Sequence, residues 1–309
     1  MKKILTAATA AVAAAGGLLV TAPAAHANVI AYGPGTYLIS SPIIVPDGWS
    51  LQGAGVGETI LKAAPGFTGT MITDSGGYRH HPGIQVHDLT IDGSGTAERG
   101  FHFYGVDDLV VENVEAYRTT RTALEQRGVM DTPYQVRQTW AHVYVHDCGG
   151  WGIFNGLRTR KVQYDDIRVE RCRAGGLTID HSEGQANGVV LKNNGGNGLW
   201  IRNVYSVNLN NITVIGNAGY GIFAQATVYS LGTDWVAANN RLDDVKFTNS
   251  APPWANYGVT RGTLVTGLAA GHVVCSGASS TSAERAVTVD PGVDVQIVGQ
   301  RAATVADAC

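Results

Sequence analysis

Seven short segments of this chain can be laid over one another. They are GFHF at Gly100, ALEQ at Ala123, GIFN at Gly152, GLTI at Gly176, GLWI at Gly198, GIFA at Gly221 and GVTR at Gly258. Their second residues are apolar: Phe101, Leu124, Ile153, Leu177, Leu199, Ile222 and Val259. The segments start 23, 29, 24, 22, 23 and 37 residues apart. A loose period in the twenties, filled with short strand-like pieces, restricts the chain to a stacked β-solenoid. One repeat of that length cannot bury its own apolar face, but a stack of them can.

A second ladder runs out of phase with the first, through LTID at Leu89, VEAY at Val114, VYVH at Val143, IRVE at Ile167, ITVI at Ile212 and VKFT at Val245. A third and weaker one passes through IQVH at Ile84, LVVE at Leu109, VQYD at Val162 and VNLN at Val207. Each turn is therefore expected to hold three strands. Asn, Asp and Gly tolerate the left-handed backbone of sharp corners, and Asn193-Asn194, Asn210-Asn211 and Asn239-Asn240 read as such corners. Three strands per coil predict an all-β, single-domain parallel β-helix. The Leu/Asn consensus of a leucine-rich repeat is absent. Parallel crossovers make the expected hand right.

Residues 1–27 read as a secretory signal. Lys2-Lys3 precede an Ala/Val/Leu run to Val20, and Ala25-His26-Ala27 is a small-x-small cleavage site. A secreted, extracellular protein is expected, and no later stretch is apolar enough to span a membrane. Forty glycines and 15% charged residues suit a turn-rich β protein rather than a disordered one. Removing Lys2 and Lys3 takes the formal charge from −3 to −5. No basic run remains, so nucleic acid is not an expected partner.

The four cysteines suit an oxidising compartment. Cys148 lies five residues after Val143 and Cys172 five after Ile167, so the two fall at one place on successive coils. Coils about 4.8 Å apart bring such a pair within disulfide range. That leaves Cys275 to pair with Cys309. No CxxC or HxxxH spacing suggests zinc. The coils are expected to fill residues 28–263. Residues 264–309 lose the repeat and read as extra strands and a C-terminal cap of the same domain. A capped last coil resists edge pairing, so a monomer is expected.

The opening coils carry a further signal. Pro34-Gly35-Thr36-Tyr37, the run IIVPDG from Ile43 to Gly48, and Leu51-Gln52-Gly53-Ala54-Gly55 resemble the first coils of pectate-lyase-like right-handed β-helix proteins. That superfamily includes polysaccharide lyases, glycoside hydrolases, uronate epimerases and phage tailspikes. The resemblance implies a secreted protein that handles carbohydrate. It leaves calcium open as a cofactor. The acidic pairs Asp165-Asp166 and Asp243-Asp244 fall at corners and read as turn caps.

Strand alternation sorts the first ladder into two faces. With Phe101 and Phe103 inside, His102 and Tyr104 point out. The same register sends out Glu125 and Arg127, then Phe154, Thr178 and Asp180, then Trp200 and Arg202, then Phe223 and Gln225. Aromatics beside charges on one face suggest a sugar-binding groove. Long excursions at residues 75–83, 128–138 and 227–238 follow strands of this ladder and are expected to wall it. They bring Arg79, His80, His81 and Tyr134 to its rim, and Arg158 lies in a flanking turn.

An acidic polysaccharide is the expected partner, and β-elimination the expected reaction. Elimination from a uronate needs a cation on the carboxylate, a base and a proton donor. Arg127 and Arg202 are candidate cations, because guanidinium grips carboxylate bidentately. His102 and Tyr104 are candidate base and acid. Trp200, Phe154, Phe223 and Gln225 would hold sugar rings. Two alternatives stand beside this. Glu125 and Asp180, about 9–10 Å apart at the strand spacing, could serve an inverting hydrolase. The face could also bind carbohydrate without turnover. The Gly-His-Gly and Asn-Thr-Asp signatures of polygalacturonases are missing, as is the DPHD motif of mannuronan epimerases. An epimerase would share the base and the cation.

Overall fold

The computed structural model describes residues 28–77, 79–129, 135–156, 159–180, 183–225, 227, 230–249, 263–271, 287–291 and 293–303. The expected signal segment, Cys275, Cys309 and the GVTR segment lie outside them. The strands form two large sheets of fifteen and ten strands. Their pairing is parallel throughout. The chain is a right-handed parallel β-helix.

The ten-stranded sheet is the first ladder. Ile72, Phe101, Leu124, Ile153, Leu177, Leu199 and Ile222 are successive register partners, and all are fully buried. The column continues into Val245. The sequence placed Val245 in the second ladder, so VKFT has moved to the first. Trp235 takes the vacated position beside Ile212. An indole there was not recognised as a core residue, because a Trp breaks the Val/Ile pattern of its neighbours.

The second and third ladders are two flats of the fifteen-stranded sheet. Its long strands bend over a shared column of left-handed residues: Asp88, Asn113, His142, Asp166, Gly188, Asn211 and Asp234. The bend shifts the alternation by one, so Val86 and Leu89 both face inward on a single strand, Gln85–Asp92. A second left-handed column comprises Arg118, Asp147, Arg171, Asn193, Gly216 and Asn239. Asn, Asp and Gly fill most of these places, as the corner chemistry requires.

The next position along that corner stacks Cys148, Cys172, Asn194, Asn217 and Asn240. Asn194 Nδ2 donates to Asn217 Oδ1 at 2.9 Å, and Asn217 Nδ2 to Asn240 Oδ1 at 2.9 Å. Asn240 Nδ2 ends the run on Asp244 Oδ1 at 2.8 Å. Each Oδ1 also accepts the backbone N–H of the coil before, starting with Cys172 N–H on Asn194 at 3.0 Å. Cys148 and Cys172 are disulfide-bonded as expected, with Cα atoms 4.4 Å apart.

Two expected loops are partly strand: residues 135–138 open the strand Gln135–His146, and residues 231–238 form Leu231–Ala238. Beyond residue 263, Thr263–Thr266, Ala269–Gly271, Val287–Val289, Val295–Val298 and Arg301–Ala302 pair in parallel with preceding coils. The repeat thus runs on in structure where the sequence pattern fades.

Candidate functional site

The outward face of the ten-stranded sheet carries the candidate residues in rows. One row runs Thr73, His102, Glu125, Phe154, Thr178, Trp200, Phe223 and Lys246. Two residues further along the strands, Tyr104 pairs with Arg127, and Asp180 with Arg202 and then Gln225. Alternation therefore predicted the facing of these side chains, but not their exposure.

Glu125 is the clearest correction. Its carboxylate faces outward yet is only 2% exposed. Arg99 Nε donates to Oε2 at 2.6 Å, and Arg127 Nε donates to Oε1 at 2.5 Å. Burial pushes this carboxyl up, but Arg127, His102 and Arg99 outweigh it and hold it below the usual carboxylate range. Asp180, also expected in the open, is fully buried against Arg202 Nη2 at 2.6 Å. Neither carboxylate is an exposed acid, and Thr178 is buried too. Arg99 was missed because it lies one residue before the repeat segment that starts at Gly100.

His102 sits beside this clamp, with Nε2 3.9 Å from Glu125 Oε1. Burial lowers its pKa; Glu125 pulls it back up, and Arg99 and Arg127 push it down again. The net shift is downward, so the imidazole is neutral at pH 7. The Tyr104 ring lies 4.2 Å from it, centroid to centroid.

The peptide of Tyr104 is held from both sides. Its N–H donates to Asp74 Oδ2 at 2.7 Å, and His81 Nε2 lies 2.7 Å from its carbonyl oxygen. His81 is fully buried, with Nδ1 3.0 Å from Asp47 Oδ1. It packs so closely on Gly76 that a Cβ there would lie 2.5 Å from the ring. His81 is therefore no exposed rim residue; it fastens its own segment and Gly76 onto the end of the Arg99–Tyr104 strand. His80 Nδ1 lies 3.1 Å from Asp107, and the exposed Arg79 reaches Asp47 at 3.0 Å. The sequence showed the histidine pair but not the acids that fold it inward. Arg158 and Tyr134 lie outside the described residues.

Arg127 and Arg202 stack over Phe154, at 5.3 and 5.9 Å from its ring. Arg127 is 41% exposed and Arg202 16%. Arg202 also lies 4.5 Å over Trp200. From Trp200 an aromatic run spreads both ways, to Trp151 at 5.7 Å and to Phe223 at 6.3 Å. Tyr220 continues it, 4.7 Å from Phe223. The Trp200 indole N–H donates to Gln225 Oε1 at 2.8 Å. Trp151 and Tyr220 were also missed. Strict alternation gives them the inward parity of Ile153 and Ile222, and the buried glycines Gly152 and Gly221 break it.

The other outward face spends its aromatics and charges on itself. His146 lies between Tyr117 and Tyr144, with Arg118 over one ring and Arg168 over the other. Glu170 takes Tyr144, Arg168 and Arg171. Glu125 and Asp180 are each committed to arginine, which leaves these two carboxylates poorly suited to calcium. Among the described residues, no group of three or more His, Cys, Asp or Glu is placed to hold a metal ion.

In solved structures the same fold recurs. The A-module of mannuronan C-5 epimerase AlgE4 of Azotobacter vinelandii aligns with a TM-score of 0.53 at 15% identity, over 90% of this chain and 88% of that one. The A-module of AlgE6 of the same organism gives 0.56 at 15% identity, over 90% and 87%. ORF18 of Geobacillus virus E2 gives 0.59 at 12% identity, over 84% of this chain and 52% of that one. At these identities the likeness is one of fold. No curated protein matches the chain by sequence. A family profile, described as rhamnogalacturonase A/epimerase, pectate lyase-like, matches residues 18–179, more than half of the chain. The chain belongs to that family.

Proposed function

We propose that this protein is a polysaccharide lyase that cleaves a uronic-acid-containing polymer by β-elimination on the outward face of the ten-stranded sheet. The observation that carries the reading is the His102–Tyr104 pair beside Arg127: a neutral imidazole, a phenol 4.2 Å away and a half-exposed guanidinium on the next strand. Glu125 Oε1 faces His102 Nε2, which favours hydrogen on Nε2 and leaves Nδ1 as the basic nitrogen. Arg127 neutralises the substrate carboxylate, so the C–H beside it becomes acidic. His102 takes that proton, the electron pair forms the C=C bond and expels the glycosidic oxygen, and Tyr104 protonates the leaving oxygen. Arg202 is a weaker candidate for the carboxylate, being largely buried on Asp180.

The hydrolytic alternative loses support. An inverting pair needs one protonated acid and one base facing the same bond. Glu125 is instead held ionised by two arginines, and Asp180 is fully buried on a third. The A-modules that share the fold come from C-5 epimerases, and epimerisation would begin with the same proton abstraction. It would end with a proton returned to the opposite face rather than a broken bond.

The test is incubation with pectate, alginate, hyaluronan, heparan and neutral glucans, followed by ultraviolet absorbance of an unsaturated uronate. Lyase action gives new absorbance. Reducing ends without absorbance mean hydrolysis. Inverted uronates without chain cleavage mean epimerisation. Arg127→Ala should slow turnover roughly a hundredfold, the loss expected when a charge-assisted contact to the developing enolate is removed. Wild-type rates in that variant would remove Arg127 from the mechanism.

A further inference from the structure

Inside the solenoid, two successive coils depart from the apolar pattern of the core. The inward row of the ten-stranded sheet reads Phe103, Gln126, Asn155, Ile179 and Ile201. Two inward rows of the fifteen-stranded sheet read Leu109, Gln138 and Val162, and Val111, Trp140, Tyr164 and Ala186. Gln126, Gln138 and Trp140 come from one coil, and Asn155 and Tyr164 from the next. All five side chains are buried. Polar atoms thus enter the core from both sheets in the same two coils, and the same positions before and after them are apolar.

These groups do not satisfy one another. Asn155 Nδ2 donates to Gln138 Oε1 at 2.7 Å, and Gln126 Nε2 donates to the Arg127 carbonyl at 3.2 Å. Asn155 Oδ1 and Gln138 Nε2 are left over. Turning both amides over exchanges donor for acceptor, but one end of each stays unpaired. The Trp140 indole N–H has no hydrogen-bond partner among the described residues. The Tyr164 phenol lies against Asn155 without hydrogen-bond geometry. Burial pushes that phenol far above its ordinary range, so it is a neutral O–H. The Trp140 and Tyr164 rings are 6.2 Å apart on adjacent strands.

A buried donor or acceptor without a partner destabilises a fold, and several in adjoining positions call for a partner from outside the chain. The unpaired set is an amide N–H, an amide oxygen, an indole N–H and a phenol. It mixes donors with acceptors and carries no charge, so it suits neither a metal ion nor an anion. It complements water, which takes roughly two to four such partners when buried. We propose that Gln138, Trp140, Asn155 and Tyr164 enclose a binding site for internal water, behind the strands that carry Arg127 and Phe154. Asn155 is the register partner of Gln126, whose amide holds the Arg127 carbonyl. Bound water therefore backs the sheet beneath the candidate site, whatever reaction the outer face performs.

Nuclear magnetic resonance of the whole, isotope-labelled protein tests this at the Trp140 indole N–H, whose signal is assigned by its loss in Trp140→Phe. That proton should cross-relax with water, with the sign given by a long-lived bound molecule. Tyr164→Phe and Asn155→Leu nearly keep the side-chain shape and remove polar atoms. Each should reduce or abolish the water contact while circular dichroism still shows the coils. Loss in either folded variant supports the site. A crystal structure should place solvent density within hydrogen-bonding distance of most of the four side chains. The site is overturned if the indole proton has no water contact in the parent protein, or if the contact is unchanged in both variants. Direct bonds among the four side chains, with no solvent density between them, overturn it as well.

Discussion

At the scale of single residues, His102 gives the sharpest prediction. Burial outweighs Glu125 and draws its pKa below the ordinary value of about 6.5. The neutral base is thus already complete at neutral pH. kcat/KM should be flat near pH 7 and fall only as pH drops through the lowered pKa, and His102→Gln should remove that acidic limb along with most of the activity. The same shift has a sign for stability. The unfolded chain binds the proton first, so folding weakens as pH falls below about 6.5 and levels off once the folded imidazole is protonated. A limb centred above 6.5 would mean that Glu125 dominates instead. His81 makes a second prediction. His81→Leu should lower kcat more than it raises KM, because the Tyr104 carbonyl loses its clasp, and His81→Gln, which keeps a donor, should recover part of the loss. Equal losses in both variants would reduce His81 to packing. The outward identities of His102, Tyr104, Glu125 and Arg127 were readable from alternation. Their pairing was not, because Arg99 and Asp74 reach them across coils whose lateral alignment only the folded stack defines.

At the scale of the element, the asparagine corner is where the coils are tied to one another. The buried Asn217 side chain takes part in four hydrogen bonds, two as acceptor from Asn194 and two as donor to Leu191 and Asn240. Asn217→Ala leaves a buried N–H and a buried amide without partners. It should therefore cost at least about 2 kcal/mol in urea unfolding. A loss below about 0.5 kcal/mol would mean that water replaces the side chain there. Asn-Asn pairs had marked this corner in the sequence, as had the position of the cysteines. Val245 and Trp235 show where periodicity fails as a guide. A short strand carries its register only through its neighbours, and an isolated Val-x-Phe fits either ladder equally well.

Across the whole molecule, stability is a sum over neighbouring coils, so one covalent tie has a reach beyond its own corner. The bond between Cys148 and Cys172 spans 24 residues. Replacing both by alanine should lower stability by about 3 kcal/mol, read from denaturant unfolding of the double variant against the parent. An unchanged midpoint would show that the corner packs as well without sulfur. The consequence concerns how such a stack comes apart. A solenoid frays from its ends, one coil peeling from the next. Peeling that starts at the C-terminal end can pass Asn240, Asn217 and Asn194 by exchanging hydrogen bonds with water, but it halts at the sulfur bridge. The coils that carry His102, Tyr104 and Arg127 lie on the sheltered side of that stop. Limited proteolysis of the oxidised protein should trim towards it and spare them, and the same digestion after reduction should run through.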